Sequence, residues 1–284
     1  MPGVVAPAWR GLKTREPAHG GGILNTTLSM TILATLLAGA ASVLAAAWLS
    51  LGLLAGLVNR LVSVSAGLLL GSAVLNLIPE AFESHADLRA LAWTLLLGLI
   101  GFFVLEKLSV LRHSHHHEGD GHEHHRGHDR EAAGPGGMLI LVGDGIHNFA
   151  DGVMIAAAFI ADPALGWLTT AAIAAHEIPQ EIGDFIILIN AGYTRARALL
   201  YNVLSGLSAV VGGVLGYLSL SRAQGLLPYV LVLAAASFIY VALADLVPDM
   251  HRETRRRGEW VGQFVLMMAG VAAIAFITGA LHGH

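Results

Sequence analysis

The chain of 284 residues has no cysteine and little charge. Without thiols it can form neither disulfides nor thiolate metal sites, so any metal it holds must go to His, Asp, Glu, Asn or Gln. Charged residues make up 13% of the sequence, against roughly 25% in an average soluble domain. A net charge of −4 supplies no basic surface for nucleic acid. The sequence also lacks a Gly-x-x-x-x-Gly-Lys-Ser/Thr run to cradle a nucleotide phosphate.

What it has is apolar length. Hydrophobic residues reach 55%, and 34 glycines suit helices that pack closely in lipid. A membrane-spanning helix needs about 20 mostly apolar residues. Eight such runs are predicted, at 27–50, 60–82, 90–112, 137–161, 164–190, 196–220, 226–248 and 259–281. The expected fold is therefore all-α and polytopic. Residues 1–26 form a polar tail, and 27–284 form a single transmembrane domain. The one long connection is a loop at 113–136. Placing both termini outside puts 11 of the 16 Lys and Arg residues on the cytoplasmic side. That orientation makes the long loop cytoplasmic. The abundance of Ala, Gly and Leu points to a bacterial inner membrane.

Two apolar runs are interrupted by ionisable groups. The fourth carries Asp144, His147, Asn148 and Asp151, and the fifth carries His176, Glu177, Gln180, Glu181 and Asp184. Such groups are costly inside a bilayer and by default mark an ion or substrate path. Within each helix they share a face, since residues four apart differ by only about 40° around the axis. The Asp162-Pro163 turn makes the two helices antiparallel neighbours. Each histidine then lies roughly 20 Å from the turn, at a common depth. Imidazole suits Zn, Fe and Ni, while carboxylate and amide oxygens suit harder ions. Pro179 removes a backbone donor from the fifth helix and frees a carbonyl near the site.

The motifs His147-Asn148-Phe149-Ala150-Asp151-Gly152 and His176-Glu177-Ile178-Pro179-Gln180-Glu181-Ile182-Gly183-Asp184-Phe185 resemble those of the ZIP family of divalent-metal transporters. Leu77-Ile78-Pro79-Glu80-Ala81 and Ala244-Asp245-Leu246-Val247-Pro248-Asp249-Met250 are similar to the family pattern as well. The resemblance implies a 3+2+3 arrangement of eight helices with the fourth and fifth central, and a homodimer. It also implies a primary metal site of His147, Asp151, His176 and Gln180. A second, adjacent site would add Asn148 and Glu177 to Asp151 and Gln180. Movement of metal toward the cytoplasm is implied too, with Zn²⁺ as substrate rather than as resident cofactor. This chain departs from the pattern in three places. Gln180 stands where the family has His or Glu, and Asn76 stands where His is frequent. Ser205, Ser208 and Ala209 occupy the region where some relatives carry a helix-six carboxylate.

The long loop concentrates His113, His115, His116, His117, His122, His124, His125 and His128, a composition that binds metal. Expected roles for the remaining groups are graded by position. Glu181 joins the metal-binding set, while Asp144, Asp184, Asn76, Glu106, Asp245 and Asp249 line a possible pathway. Two other functions fit parts of the pattern. A cation-diffusion-type metal exporter shares the His-x-x-x-Asp spacing of His147 and Asp151. An intramembrane metalloprotease needs His-Glu-x-x-His, and Gln180 stands where the second His belongs. The expected function is membrane transport of a divalent metal, Zn²⁺ first, with Fe²⁺, Mn²⁺ and Cd²⁺ as possible cargo, and no enzymatic activity.

Overall fold

A computed structural model describes residues 20–51, 55–114, 129–253 and 259–282. Every regular element among them is helical. In chain order they begin with α1 (Gly20–Leu51) and α2 (Ala55–Ser72). The latter runs through a π turn (Ala73–Leu77) into α3 (Ile78–Glu83). Then come α4 (Leu88–Ser114), α5 (Asp129–Ala161), α6 (Pro163–Asn190) and α7 (Arg195–Leu220). After a 3-10 turn (Gln224–Leu226), α8 (Leu227–Tyr240) passes through a second π turn (Val241–Leu246) into α9 (Val247–Glu253). The last is α10 (Glu259–His282).

Two boundaries differ from the sequence expectation. Helix α1 starts at Gly20, inside the expected tail, and α5 starts at Asp129, inside the expected loop. Asp129 and Glu131 suit a helix N-terminus, and Ala132-Ala133 are strong helix formers. These outweigh the break suggested by Gly134-Pro135-Gly136.

Six segments are long and apolar enough to cross a membrane: Thr26–Leu44, Arg60–Glu83, Leu88–Leu105, Arg195–Leu220, Gln224–His251 and Glu259–Ala280. The fold is thus that of an all-α polytopic membrane protein. Helices α5 and α6 have 33 and 28 residues but carry the polar stripes, which keeps them out of that set. They are inverted relative to a soluble helix. In α5 the apolar Val142, Ile146 and Phe149 face outward, while Asp144, Asn148 and Asp151 are buried.

The helices pack as two groups. One holds α1, α5, α6 and α7; the other holds α2–α3, α4, α8–α9 and α10. Close approach within the first group depends on glycine. A Cβ on Gly152 would run into the Ala209 carbonyl of α7, and one on Gly212 would run into the Phe149 carbonyl of α5. Small residues let backbones meet in this way in membranes. A hydrogen bond from Ser208 Oγ to the Gly145 carbonyl, 2.6 Å, ties the same pair of helices.

The two π turns have a shared cause. Each ends just before a proline, in Asn76-Leu77-Ile78-Pro79-Glu80 and Asp245-Leu246-Val247-Pro248-Asp249. A proline ring clashes with the carbonyl four residues back. Widening the turn relieves this, so Ile78 N–H reaches back to the Ala73 carbonyl and Val247 N–H to the Ala242 carbonyl.

Helix α6 meets its proline differently. It is entered through Asp162, whose Oδ1 accepts from Ala164 N–H at 2.8 Å and Leu165 N–H at 3.0 Å, with Pro163 in the first turn. Further along, Pro179 leaves the carbonyl of Ala175, four residues back, without its helical donor. Ser65 Oγ of α2 donates to that carbonyl at 2.6 Å, across the boundary between the two groups.

Candidate metal centre

His147 and Asp151 lie four residues apart on α5, and His176 and Glu177 lie side by side on α6. The tight Asp162 turn brings the two pairs face to face. His147 Nε2 lies 3.3 Å from His176 Nε2. Asp151 Oδ2 lies 3.8 Å from His147 Nε2 and 3.6 Å from His176 Nε2. Glu177 Oε1 lies 3.5 and 3.4 Å from the same two nitrogens.

These spacings have a simple geometric meaning. Four N and O donors about 2.0–2.2 Å from a central Zn²⁺ in a tetrahedron are separated by about 3.3–3.6 Å. The five measured separations span 3.3–3.8 Å. The four side chains can therefore close on one divalent ion with little movement.

Their hydrogen bonding fits the same purpose. The ring of His176 is fixed by Nδ1 against the Ala172 carbonyl, 3.3 Å. A carbonyl only accepts, so Nδ1 carries the proton and the lone pair of Nε2 faces the other donors. Phe238 of α8 walls the same ring, with centroids 6.5 Å apart. Asp151, His176 and Glu177 are each at most 2% exposed, whereas the His147 side chain is 24% exposed and forms the accessible edge. Neither oxygen of Asp151 or of Glu177 has a hydrogen-bond partner among the described residues. Buried carboxylates in that condition are costly unless a cation compensates them.

A family model described as "ZIP Zinc transporter" matches residues 109–278. The chain belongs to the ZIP zinc transporter family. It is 38% identical over 178 residues to human "Zinc transporter ZIP10", covering 58% of this chain and 21% of that protein. To "Zinc transporter foi" of Drosophila melanogaster it is 37% identical over 139 residues, covering 49% of this chain and 20% of the relative. "Zinc transporter YKE4" of Saccharomyces cerevisiae is 29% identical over 243 residues, covering 77% and 70%. The chain thus spans about a fifth of the length of the human and insect relatives. ZIP membership sets aside the exporter and protease readings.

Within this ZIP chain, the other expected site residues are distributed as follows. Gln180 and Asn148 stand outside the four-donor group. Their amides both donate to Asp144 Oδ1, at 3.0 and 3.1 Å, and Asn148 Nδ2 also reaches the Asp144 carbonyl at 3.2 Å. Asp144 and Glu181 are buried, and Asp184 is half-buried beyond them. Asn76 lies in the first π turn and accepts from Thr278 Oγ1 at 2.8 Å, away from the centre. Asp245 in the second π turn and Asp249 in α9 are exposed. The loop histidines from His115 to His128 lie outside the described residues. His113 and Glu106 fall on α4, but their side chains are outside the description. Sequence reasoning did not single out Gly152, Ser65 or Asn202. The acceptor of Ser65 did have a signal, because counting four back from Pro179 marks the Ala175 carbonyl as in need of a donor.

Proposed function

We propose that this chain carries divalent metal across the membrane toward the cytoplasm, with Zn²⁺ as first cargo. His147, Asp151, His176 and Glu177 hold the ion in transit. The observation that carries this reading is the set of four donors at tetrahedral spacing in a largely buried pocket. Two imidazoles and two carboxylates, with no thiolate, bind an ion firmly enough to select it and loosely enough to release it. The zinc transporters to which the chain is similar point the same way. Fe²⁺, Mn²⁺ and Cd²⁺ are competing cargoes, since affinity order alone does not set selectivity.

In this reading α5 and α6 also span the membrane, which gives eight spans in a 3+2+3 arrangement. Both termini lie outside, and the histidine-rich segment takes up metal on the cytoplasmic side. The host membrane is a bacterial inner membrane, and the working unit is a homodimer. The metal is substrate, and no resident cofactor takes part.

Purified protein in liposomes containing a Zn²⁺-sensitive dye tests this directly. Wild type is expected to fill the vesicles, and His176→Ala is expected to lose at least about 90% of the rate, a tenfold effect equivalent to about 1.4 kcal/mol. Equal uptake by both proteins would remove His176 from the path. Absence of uptake by folded wild type would defeat the carrier reading itself.

A further inference from the structure

One carbonyl of α6 is held from another helix at a position that bears directly on the metal centre. Pro179 has no N–H, so the Ala175 carbonyl loses its helical donor. Ser65 Oγ of α2 donates to it at 2.6 Å, shorter than the usual O–H···O length of about 2.7–2.8 Å. Ser65 is 1% exposed, so this bond is made away from bulk water.

The peptide unit that this bond fixes also carries the N–H of His176. A peptide is planar, so the Ala175 oxygen and the His176 nitrogen tilt together. Holding the oxygen therefore sets the direction in which His176 leaves the backbone. A helix interrupted by proline yields at this turn, so α6 does not set the tilt alone. His176 has two other restraints, and both act on its ring. Nδ1 lies 3.3 Å from the Ala172 carbonyl, which orients the ring relative to α6 itself. Phe238 of α8 stands against the ring with centroids 6.5 Å apart. The Ser65 bond restrains the backbone beneath that ring.

The far end of the same stretch is held in the same way. Asn202 Nδ2 of α7 donates to the Glu181 carbonyl at 3.1 Å. Residues 176–180 are thus bracketed by side chains of two other helices, Ser65 before them and Asn202 after them. The geometry to be kept is narrow. His176 Nε2 stands 3.3, 3.6 and 3.4 Å from donor atoms of His147, Asp151 and Glu177. A small tilt at the His176 backbone is amplified over the length of the imidazole and spoils those spacings.

We propose that Ser65 is a positioning residue for metal binding: its hydroxyl, acting through the Ala175 carbonyl, aims His176 at the ion. The four donors all belong to α5 and α6, yet the centre takes part of its geometry from α2, in the other helical group. The inference rests on the four-donor centre of the proposed function, and the experiment separates the two.

The purified full-length chain in detergent is titrated with Co²⁺, whose visible absorption reports coordination geometry, and the Co²⁺ is then displaced with Zn²⁺. Wild type is expected to show the intense bands of four-coordinate Co²⁺, and His147→Ala/His176→Ala to lose them. Ser65→Ala is expected to weaken Co²⁺ and Zn²⁺ binding about tenfold and to reduce the band intensity. Ser65→Ala/Pro179→Ala, which returns an N–H to the Ala175 carbonyl, is expected to recover both. A merely structural role would lower the melting temperature of metal-free Ser65→Ala and leave its affinity and spectrum as in wild type, and that result would overturn the proposal. If Ser65→Ala does not fold, Ser65→Thr and Ser65→Val pose the same question at matched volume. Tighter binding by the Thr variant supports the proposal, and equal binding overturns it. Bands that are absent from wild type, or that survive in the double His variant, would overturn the four-donor centre and this inference with it.

Discussion

At the scale of single residues, the candidate centre depends on which atom each side chain commits elsewhere. His176 gives Nδ1 to a backbone carbonyl and keeps Nε2 for the centre. Gln180 donates its amide nitrogen to Asp144, while Asp151 and Glu177 bring carboxylate oxygens within 3.4–3.8 Å of the imidazole nitrogens. The neutral amide at this position supports Asp144 through a hydrogen bond to its Oδ1. The charge of Asp151 matters in this arrangement, because it and Glu177 are the two anions offset by a divalent ion. Asp151→Asn keeps the shape and removes one charge. Zn²⁺ affinity is expected to fall at least tenfold, about 1.4 kcal/mol, by titration of the purified protein. Unchanged affinity would show that Asp151 is a packing residue.

At the scale of helices, proline decides where the backbone yields. Pro79 and Pro248 are accommodated by π turns within their own helices, while Pro179 hands its orphaned carbonyl to another helix. The Ser65 hydroxyl donates to the Ala175 carbonyl, which directly precedes His176. Ser65→Ala strands a part-buried acceptor and is expected to cost about 1 kcal/mol. Pro179→Ala restores a helical N–H for the same carbonyl. The pair therefore couples: in Ser65→Ala/Pro179→Ala the loss from Ser65→Ala should largely disappear, by 0.5 kcal/mol or more on the scale of roughly 0.5–3 kcal/mol seen for contacting residues. Strictly additive melting shifts would show that Ala175 does not depend on Ser65.

At the scale of the whole molecule, the buried carboxylates of α5 and α6 lie inside one helical group, beside a His176 ring that meets Phe238 of the other. An ion bound there links helices from one group and is walled by α8 of the other. Any ligand that binds only the folded state stabilises it, by about 2.7 kcal/mol at a hundred times its dissociation constant. Saturating Zn²⁺ is expected to raise the melting temperature of wild type and to leave His147→Ala/His176→Ala nearly unmoved. An equal rise in both proteins would place the stabilising ion away from the histidines.

Residue chemistry along the chain determined most of what is local. Apolar length fixed the helices, because a backbone in lipid must satisfy its own hydrogen bonds. Asp162-Pro163 determined the turn into α6, since an aspartate cap followed by proline suits the first turn of a helix. Helical spacing put His147 with Asp151, and His176 with Gln180, on opposing faces. Only the tertiary structure decided how those faces meet. The approach of Glu177 Oε1 to within 3.4–3.5 Å of both imidazoles depends on side-chain rotation, which spacing along one helix does not encode. Ser208 meets the Gly145 carbonyl through the close packing of α7 on α5, made possible by Gly152 and Gly212. The start of α5 at Asp129 was hidden because a Gly-Pro-Gly run looks like a break, and a helix with enough strong formers on both sides overrides it. Contacts between distant segments arise from three-dimensional packing, so residues like Ser65, 110 positions from its acceptor, carry no mark of their partner.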